Sequence, residues 1–306
     1  MSSSVSNKDF SEGAAWIRGE IIPTASASLP VTDWGLTHSD ITYDVVHAWD
    51  GRFFRLNDYL LRFENSLATC RLNIDQTSDD IRAILHSIVA RSQLKQAYVS
   101  FVASRGQPVV PGSRDPRDCV NHFYAWCVPF VWVFDEIVRS RGAHLYIPDD
   151  VRRIASNAVN PMVKNYQWGD FTQALLKAKD DGFDNTLLID ADGHITEGPG
   201  FNVFIVKDGQ AYTAMSGVLQ GITRKVAMEL CKHHGISATE KDIGLDELFQ
   251  ADEVFATTTG GGIIPITRIN QHTFSNDTPG EVSQMLLSTY WQWHQDSSMS
   301  ETIDYS

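Results

Sequence analysis

The sequence predicts an α+β fold with antiparallel sheets, and three observations support this prediction. Asp-Gly pairs, which are strong signals for a short hairpin, lie between strand-like runs at Asp50-Gly51, Asp192-Gly193 and Asp208-Gly209. Helical segments are interspersed among these hairpins and do not alternate with single strands as βαβ units do. A chain of 306 residues with 42% hydrophobic residues is long enough for two domains, each with its own core.

Two hairpins and two helices are predicted in the first third of the chain. One hairpin turns at Arg18-Gly19 and the other at Asp50-Gly51. Apolar residues then recur at helical spacing after Asn57, which we expect to cap the first helix. We expect Ser78 to cap the second helix in the same way.

Two long strands and a domain boundary follow. The strands QAYVSFVAS and NHFYAWCVPFVWV are separated by a polar loop that is too long for a tight turn, and such loops often carry function. The density of apolar residues falls after Val133. We therefore predict a small N-terminal domain over residues 1–133, a linker over 134–141 and a larger C-terminal domain over 142–306.

Helices and hairpins are also mixed in the predicted C-terminal domain. One helix follows Asp170, which we expect to be its cap, and ends at Gly182. A later helix ends at Gly235, and the hairpin turns at Asp192-Gly193 and Asp208-Gly209 supply the strands.

The composition excludes several classes of function. The net charge is −13 and no run of lysine or arginine exceeds two residues, so a polyanion such as nucleic acid would be repelled. No segment has the apolar length of a signal peptide or a membrane span, so we expect an intracellular protein with no membrane partner. The four cysteines lack the spacing of a zinc site and are expected to be reduced thiols, so no metal is predicted.

The segment NPMVKNYQWGD places Lys164 among aromatic residues shortly before a predicted helix. Beside Tyr166 and Trp168 the amine would lie in a partly desolvated pocket, where loss of hydration makes it a nucleophile toward aldehydes. The alternative is a surface lysine whose stem rests against aromatic rings, which is the commoner situation for a lysine. A single lysine does not decide between catalysis and packing.

An acidic residue, Glu197, lies at the exit of a predicted strand in ITEGPGFNVF. The following Gly198 and Gly200 allow a flat ligand to approach the backbone. If that ligand is pyridoxal phosphate, an acid aimed at its ring nitrogen keeps the ring protonated, and the protonated ring stabilises a carbanion. A turn glutamate that faces water is the alternative.

Two further segments have features of phosphate sites. QGITRK places Ile222 and Thr223 at the start of a helix, where backbone N–H groups and the helix dipole favour an anion. In FATTTGGGIIP, Thr258 and Thr259 end a strand before three glycines, which adds hydroxyls and backbone donors. Neither segment is a P-loop, and helix capping and turn formation are alternative explanations for both.

Taken in order, the segments VKNYQWGD, TEGPGFN, LQGITRK and TTTGG resemble the fold-type IV pyridoxal-phosphate enzymes, which include the branched-chain and D-amino-acid aminotransferases. Within that group, HSDITYDVVHAWDGRFFRLNDYLLRF and VKNYQWGD look like the (R)-selective amine transaminases. The resemblance runs from about Gly13 to the C-terminal IDYS. It implies a small N-terminal α+β domain, a larger C-terminal pseudo-barrel domain and pyridoxal 5'-phosphate between them.

The resemblance also implies roles for individual residues. Lys164 matches the lysine that bonds to the cofactor and moves the substrate proton, and Glu197 matches the acid that pairs with the pyridine nitrogen. The residues that match the phosphate cup are Arg62, Ile222, Thr223 and Thr258, with Thr259 as a close neighbour. The residues that match the substrate pocket are His38, Tyr43, Val45 and Trp168.

Two positions depart from the family pattern, and the role of a third depends on the resemblance alone. By its spacing Arg62 is a helix-face arginine within reach of Asp58, so its phosphate role depends on the resemblance. Pro199 stands where the family usually has serine, which removes a hydroxyl and a backbone donor. Pro111 stands where related enzymes have an arginine for the acceptor carboxylate, and Arg114 is the candidate replacement.

These features predict a transaminase that moves an amino group from an R-configured primary amine to a keto acid such as pyruvate. The resemblance also implies a homodimer in the cytoplasm. Three alternatives are an aminotransferase for D- or branched-chain amino acids, a lyase of the same fold, and a non-catalytic protein that binds a phosphate ligand.

Overall fold

A computed structural model describes residues 9–306. By its contacts the chain divides into two compact units. The first runs to Val131 and includes Val163–Tyr166 and Ser297–Ser306, and the second comprises Trp132–Met162 and Gln167–Asp296. The segment with Lys164 and the C-terminal segment therefore belong to the first unit, whereas the predicted domains are continuous ranges of the chain.

The elements are numbered in chain order. The strands are β1 Ala14–Ile17, β2 Glu20–Pro23, β3 Ile41–Trp49, β4 Arg52–Phe54, β5 Ala97–Pro108, β6 Cys119–Pro129, β7 Ala143–Tyr146, β8 Asn185–Thr186, β9 Glu197–Gly198, β10 Phe201–Lys207, β11 Gln210–Thr213, β12 Ala238–Glu240, β13 Glu253–Thr258, β14 Gly262–Ile269, β15 His272–Thr273 and β16 Ser300–Thr302. The α-helices are α1 Trp34–Thr37, α2 Leu56–Cys70, α3 Ser78–Ser92, α4 Glu136–Arg141, α5 Gly169–Asp180, α6 Ile222–His233, α7 Leu245–Phe249 and α8 Glu281–Trp293.

The first unit is built on one antiparallel sheet of seven strands, in the order β16-β4-β3-β5-β6-β1-β2. On one face, Phe63 of α2 packs edge to face against Phe101 of β5 at a centroid distance of 5.0 Å. Because successive side chains of a strand point to opposite faces, Ile41, Tyr43 and Val45 of β3 share the other face. This second face positions the residues of the candidate site in the first unit.

Two helices of the first unit begin earlier than predicted. Asn57 is not the cap of α2, because the helix begins at Leu56 and Arg55 is the capping residue with φ +58°. Ser78 is the first residue of α3 and not its cap. Thr77 takes that place in a capping box, because its hydroxyl accepts from the backbone N–H of Asp80 while the Asp80 carboxylate accepts from that of Thr77.

The C-terminal segment is part of the first sheet. Strand β16 pairs with β4, and Arg52 Nε donates to Ser300 Oγ over 2.9 Å. Beyond the strand, the Tyr305 hydroxyl donates to the backbone oxygen of Leu94 over 2.8 Å. These bonds attach the end of the chain to a unit formed mainly by its first 131 residues.

The second unit contains a nine-stranded mixed sheet with the main order β12-β11-β10-β13-β14-β7-β8. Most neighbours are antiparallel, as predicted, but β11/β12, β14/β7 and β7/β8 are parallel. A parallel pair needs a crossover connection, and here α5 lies between β7 and β8 and α6 between β11 and β12. The hairpin signals in the sequence do not reveal these crossovers.

The predicted linker at residues 134–141 is folded into the second unit. Phe134 is buried and packs against Phe201 at a centroid distance of 5.5 Å. Asp135 then caps α4 by accepting from the backbone N–H of Val138 over 2.8 Å. A buried aromatic residue and an N-cap thus explain why this stretch is structured despite its lower apolar density.

The described residues bear on the predictions for the cysteines and for a membrane span. The cysteines Cys70, Cys119, Cys127 and Cys231 are free thiols, and Cys127 and Cys231 are buried. Burial raises the pKa of the Cys231 thiol to about 11, so this thiol stays protonated at neutral pH. Within residues 9–306, the helices fall short of the length and apolar character that a membrane crossing requires.

One glycine after the threonine run is required by both its backbone conformation and its surroundings. Gly262 has φ +77°, and a Cβ there would lie 2.6 Å from Cε1 of the buried Tyr290. We expect Gly262→Ala to destabilise the protein by roughly 1–2 kcal/mol through the backbone, with roughly 1–3 kcal/mol more from the crowded ring.

Gly209 provides the matched control for this substitution. Its φ is +71°, but a Cβ there meets no heavy atom within 4 Å, so Gly209→Ala tests backbone strain alone. The two variants are compared with the parent by denaturant unfolding. Equal losses of stability in the two variants would show that Tyr290 moves aside without penalty.

Candidate active site

In the first unit, Lys164 is anchored to strand β3 by its backbone. Its carbonyl oxygen accepts from Thr42 Oγ1 over 2.9 Å and from the backbone N–H of Tyr43 over 3.1 Å. Its Nζ lies 4.8 Å from the centroid of the Tyr43 ring, which is a cation–π distance. Lys164 is half-buried, and its amine lies beside an aromatic ring.

Aromatic and branched side chains form an apolar wall beside this lysine, which we call the tyrosine wall. It consists of Ile41, Tyr43, Val45 and Val102, with the partly buried Tyr98 and Tyr124 packed against them. Tyr166 lies against Tyr43 at a centroid distance of 4.5 Å. Burial raises the pKa of Tyr98, Tyr124 and Tyr166, so their hydroxyls remain protonated at neutral pH.

Within the first unit, two of the predicted substrate residues lie together and two do not. Tyr43 and Val45 share the tyrosine wall, whereas His38 is exposed at the end of α1, where it stacks on Trp34 at 4.5 Å. Arg114 is exposed in the loop between β5 and β6. Trp168 belongs to the second unit and lies edge to face against Phe171.

The predicted phosphate residue Arg62 forms a buried ion pair in the first unit. Its Nε and Nη2 donate to the two carboxylate oxygens of Asp44 over 2.8 and 2.6 Å. Burial by itself would lower the pKa of Arg62, but the ion pair with Asp44 raises it above its usual value. Asp58, which the helical spacing places within reach of Arg62, accepts from Arg55 Nε over 2.5 Å. Asp44 therefore fixes the plane of the Arg62 guanidinium.

In the second unit, Glu197 is buried and surrounded by hydrogen-bond donors. One carboxylate oxygen accepts from Nε and Nη2 of Arg153 over 3.3 and 3.2 Å. The other accepts from the backbone N–H of Leu219 over 3.0 Å and from Nδ2 of Asn202 over 3.4 Å. The alternative of a water-facing turn glutamate is wrong, since the residue is only 7% exposed.

The start of α6 has the features of an anion site. Gly221 is the capping residue, and no side chain caps the helix, so its first N–H groups are not satisfied in that way. The hydroxyl of Thr223 is buried and has no hydrogen-bond partner within residues 9–306. A Cβ at position 221 would lie 2.2 Å from Oδ1 of Asn202, so any other residue here would displace the Asn202 side chain. An orphaned hydroxyl beside uncapped N–H groups fits the phosphate of the expected cofactor.

Strand register places Glu197 close to the threonine run. Asn202 of β10 lies opposite Glu197 of β9 on one side and opposite Thr257 of β13 on the other. The Thr258 hydroxyl donates to the backbone oxygen of Gly200 over 2.8 Å. Thr259 is partly buried. The buried acid Glu197 and the uncapped start of α6 thus belong to one unit, joined by Asn202, and this arrangement suits pyridoxal phosphate.

Sequence reasoning missed the partners of the buried charges. Asp44 binds Arg62, while Arg153 and Asn202 bind Glu197. Asp170, predicted as a helix cap, lies inside the first turn of α5, where Trp168 is the capping residue. Its carboxylate binds Arg153 over 2.7 Å. The only signal in the sequence is the general need of a buried charge for an opposite charge.

One group of side chains outside this site has the geometry for a metal ion. Potential ligand atoms of Asp190, Asp192 and His194 lie within 4.8 Å of one another. The Asp190 carboxylate already accepts from the backbone N–H groups of the other two residues, each over 2.9 Å. These bonds are those of an ordinary Asx turn, so turn formation explains the cluster.

Comparison with known proteins identifies the family. The model of amino-transferase class IV matches residues 42–269. A putative branched-chain-amino-acid aminotransferase of Methanocaldococcus jannaschii is 30% identical over 279 residues, which cover 90% of this chain and 94% of the relative. The D-alanine aminotransferase of Bacillus licheniformis is 26% identical over 298 residues, which cover 93% and 96% of the two chains.

Solved structures confirm the predicted fold type. The branched-chain amino acid aminotransferase of Thermobaculum terrenum in its PLP-bound form has a TM-score of 0.85 at 22% identity, covering 96% of this chain and 99% of that chain. The Escherichia coli enzyme of the same name has a TM-score of 0.86 at 21% identity, covering 96% and 100%. Enzymes of class IV use pyridoxal 5'-phosphate, which confirms the predicted cofactor. The family match and the 30% identical relative show that the chain belongs to the class IV aminotransferases, a family of pyridoxal-phosphate enzymes.

Proposed function

We propose that this aminotransferase moves an amino group from an (R)-configured primary amine to a keto acid such as pyruvate. The observation that carries the proposal is the tyrosine wall beside Lys164, whose six members are all apolar or aromatic. An amino-acid donor carries an α-carboxylate, and the wall has no cation among its own members to pair with it. An arylalkyl amine has no such group, so the wall favours it.

The proposed roles of the chain's residues follow from their chemistry. Pyridoxal phosphate, when bound, withdraws electrons from the substrate carbon that loses its proton. Lys164 would bond to the cofactor and move that proton, Glu197 would hold the ring nitrogen, and Thr223 and Ile222 at the start of α6 would hold the phosphate. We propose that Arg62 and Thr258 complete the phosphate contacts and that Thr259 lies next to them.

The two residues that define the proposed handedness differ in size. Tyr43 and Val45 are two positions apart on β3 and therefore point to the same face. A large ring beside a small branched side chain gives unequal space for the two substituents of an amine. By resemblance to the (R)-selective enzymes, we propose that the R amine alone directs its hydrogen toward Lys164, with His38 and Trp168 as further pocket residues.

The acceptor requires a carboxylate site, and Arg114 is our candidate for it. The residue is exposed and forms no ion pair with any residue of the described chain, so its planar guanidinium is available for two hydrogen bonds to a carboxylate. On the basis of the family resemblance we also propose a homodimer in the cytoplasm.

Substrate handedness provides the test of the proposed function. With (R)- or (S)-1-phenylethylamine as donor and pyruvate as acceptor, we expect acetophenone to form faster from the R amine by on the order of a hundredfold. Faster turnover of the S amine would overturn the R assignment and leave the family assignment in place.

The same assay distinguishes the main alternatives. The activities named for the relatives favour an amino-acid aminotransferase as a second candidate, so L-leucine and D-alanine are supplied as donors with 2-oxoglutarate as acceptor. Higher rates with either amino acid than with both amines would favour that candidate. Pyruvate released from an amino-acid substrate without any acceptor would indicate a lyase.

A further inference from the structure

One basic and two acidic side chains form a largely buried chain of contacts in the second unit. Arg153 Nη1 donates to Asp170 Oδ2 over 2.7 Å, and its Nε and Nη2 donate to Glu197 Oε1 over 3.3 and 3.2 Å. The three side chains are only 8%, 11% and 9% exposed. They come from three places in the fold, namely the segment after β7, the first turn of α5 and strand β9.

Arg153 is fixed between its two acids. Its backbone N–H donates to the oxygen of Ile189 over 2.9 Å, and its guanidinium lies 4.2 Å from the centroid of the Phe171 ring. The guanidinium contacts Asp170 at 2.7 Å but Glu197 at 3.2 Å. Asp170 thus has the shorter contact with the guanidinium, whereas Glu197 has two longer ones.

The group as a whole carries a net negative charge. Two carboxylates and one guanidinium sum to −1, and a buried net charge is unfavourable unless an opposite charge compensates it. A protonated pyridine ring beside Glu197 is such a charge. Because Asp170 and Glu197 share one guanidinium, the negative charge of Asp170 offsets part of the effect of Arg153 on a cation beside Glu197.

We propose that Asp170 is a positioning residue that acts through Arg153 and Glu197 to keep the ring nitrogen of the cofactor protonated. The inference depends on the pyridoxal phosphate of the family and not on the amine substrate proposed above. In this proposal Asp170 has a function although Glu197, and not Asp170, pairs with the ring nitrogen. A residue that only capped the helix would not need a negative charge.

Asparagine removes this charge while keeping most of the contacts. Asp170 Oδ2 accepts from Arg153 and from the backbone N–H of Ile154 over 2.8 Å, and the amide oxygen of asparagine can accept both bonds. Without the second acid, Arg153 pairs with Glu197 alone. The ratio of protonated to neutral ring nitrogen is then expected to fall about tenfold, because a neighbouring charge shifts a pKa by one unit or more.

The test measures the 15N chemical shift of holoenzyme loaded with pyridoxal phosphate labelled at its ring nitrogen, as a function of pH. We expect Asp170→Asn to move the shift toward the neutral ring at a pH where the parent is protonated. Asp150→Asn is the matched control, because Asp150 pairs with Lys177 of the same helix α5 but is exposed. We expect this control to leave the shift at the parent value.

Three results would overturn the proposal. These are a parent-like shift in the Asp170→Asn holoenzyme, an equal displacement in the Asp150→Asn control, and a displaced shift in Asp170→Glu, which retains the charge. If Asp170→Asn binds too little cofactor for the measurement, the Asp170→Glu shift decides by itself, since a parent-like value supports the role of the charge. If the parent protein binds no pyridoxal phosphate, the result contradicts the cofactor assignment of the family and not the role of Asp170. None of these measurements depends on which amine or amino acid is the substrate.

Discussion

Replacing Lys164 by alanine is expected to lower the transamination rate by roughly 10²–10⁴-fold through loss of the proposed proton carrier alone, and loss of the proposed covalent link to the cofactor should lower it further. The structure gives a reason to expect little change in folding. The interactions that anchor this position are made by the backbone oxygen of Lys164 with Thr42 and Tyr43, and alanine retains them. The half-buried side chain loses its contact with the Tyr43 ring.

Lys95 provides a matched control in the same unit. Its Nζ also lies over a tyrosine ring, 3.0 Å from the centroid of Tyr305, so Lys95→Ala removes the same kind of contact. Borohydride reduction followed by peptide mass spectrometry provides a readout apart from the rate. The parent and Lys95→Ala should carry reduced cofactor on the peptide with Lys164, and Lys164→Ala should carry none. A rate in Lys164→Ala within tenfold of the parent would move the catalytic role to another residue.

Local signals were sufficient for much of the fold. The turns at Asp50-Gly51 and Asp208-Gly209 are predictable because both residues of each turn adopt positive φ, which aspartate tolerates and glycine favours. Helix starts were less exact, since Thr77 outcompetes Ser78 by forming a reciprocal pair with Asp80. The parallel strands were missed because their pairing depends on crossovers and not on turns.

The candidate site likewise contains residues that the sequence predicts and residues that it does not. Lys164, Glu197 and the start of α6 could be selected from short segments, because each has a chemical reason within a few neighbouring residues. Their partners could not, because Arg153 is 44 residues from Glu197 along the chain and Asp44 is 18 residues from Arg62. Only the folded sheet shows which of the many acids and arginines meet.

Replacing Glu197 by glutamine should affect both the reaction and the stability, although the two side chains have the same shape. The contacts to the Glu197 oxygens come from donors, namely Arg153, Leu219 and Asn202. The amide nitrogen of glutamine is also a donor, so on either side it faces another donor. We therefore expect a loss of roughly 1–3 kcal/mol in the free energy of unfolding, in contrast to the neutral exchange that shape alone suggests.

A control carboxylate separates this loss of stability from the catalytic effect. Glu253 also accepts from two backbone N–H groups, those of Val282 and Ser283 at the start of α8, and Glu253→Gln introduces the same donor conflict. Stopped-flow single turnovers with saturating cofactor should show Glu253→Gln at the parent rate. In Glu197→Gln the lost negative charge no longer holds the ring nitrogen protonated, and the rate should fall on the order of a hundredfold. Equal single-turnover rates in the two variants would remove Glu197 from the reaction and leave it a structural acceptor for Arg153.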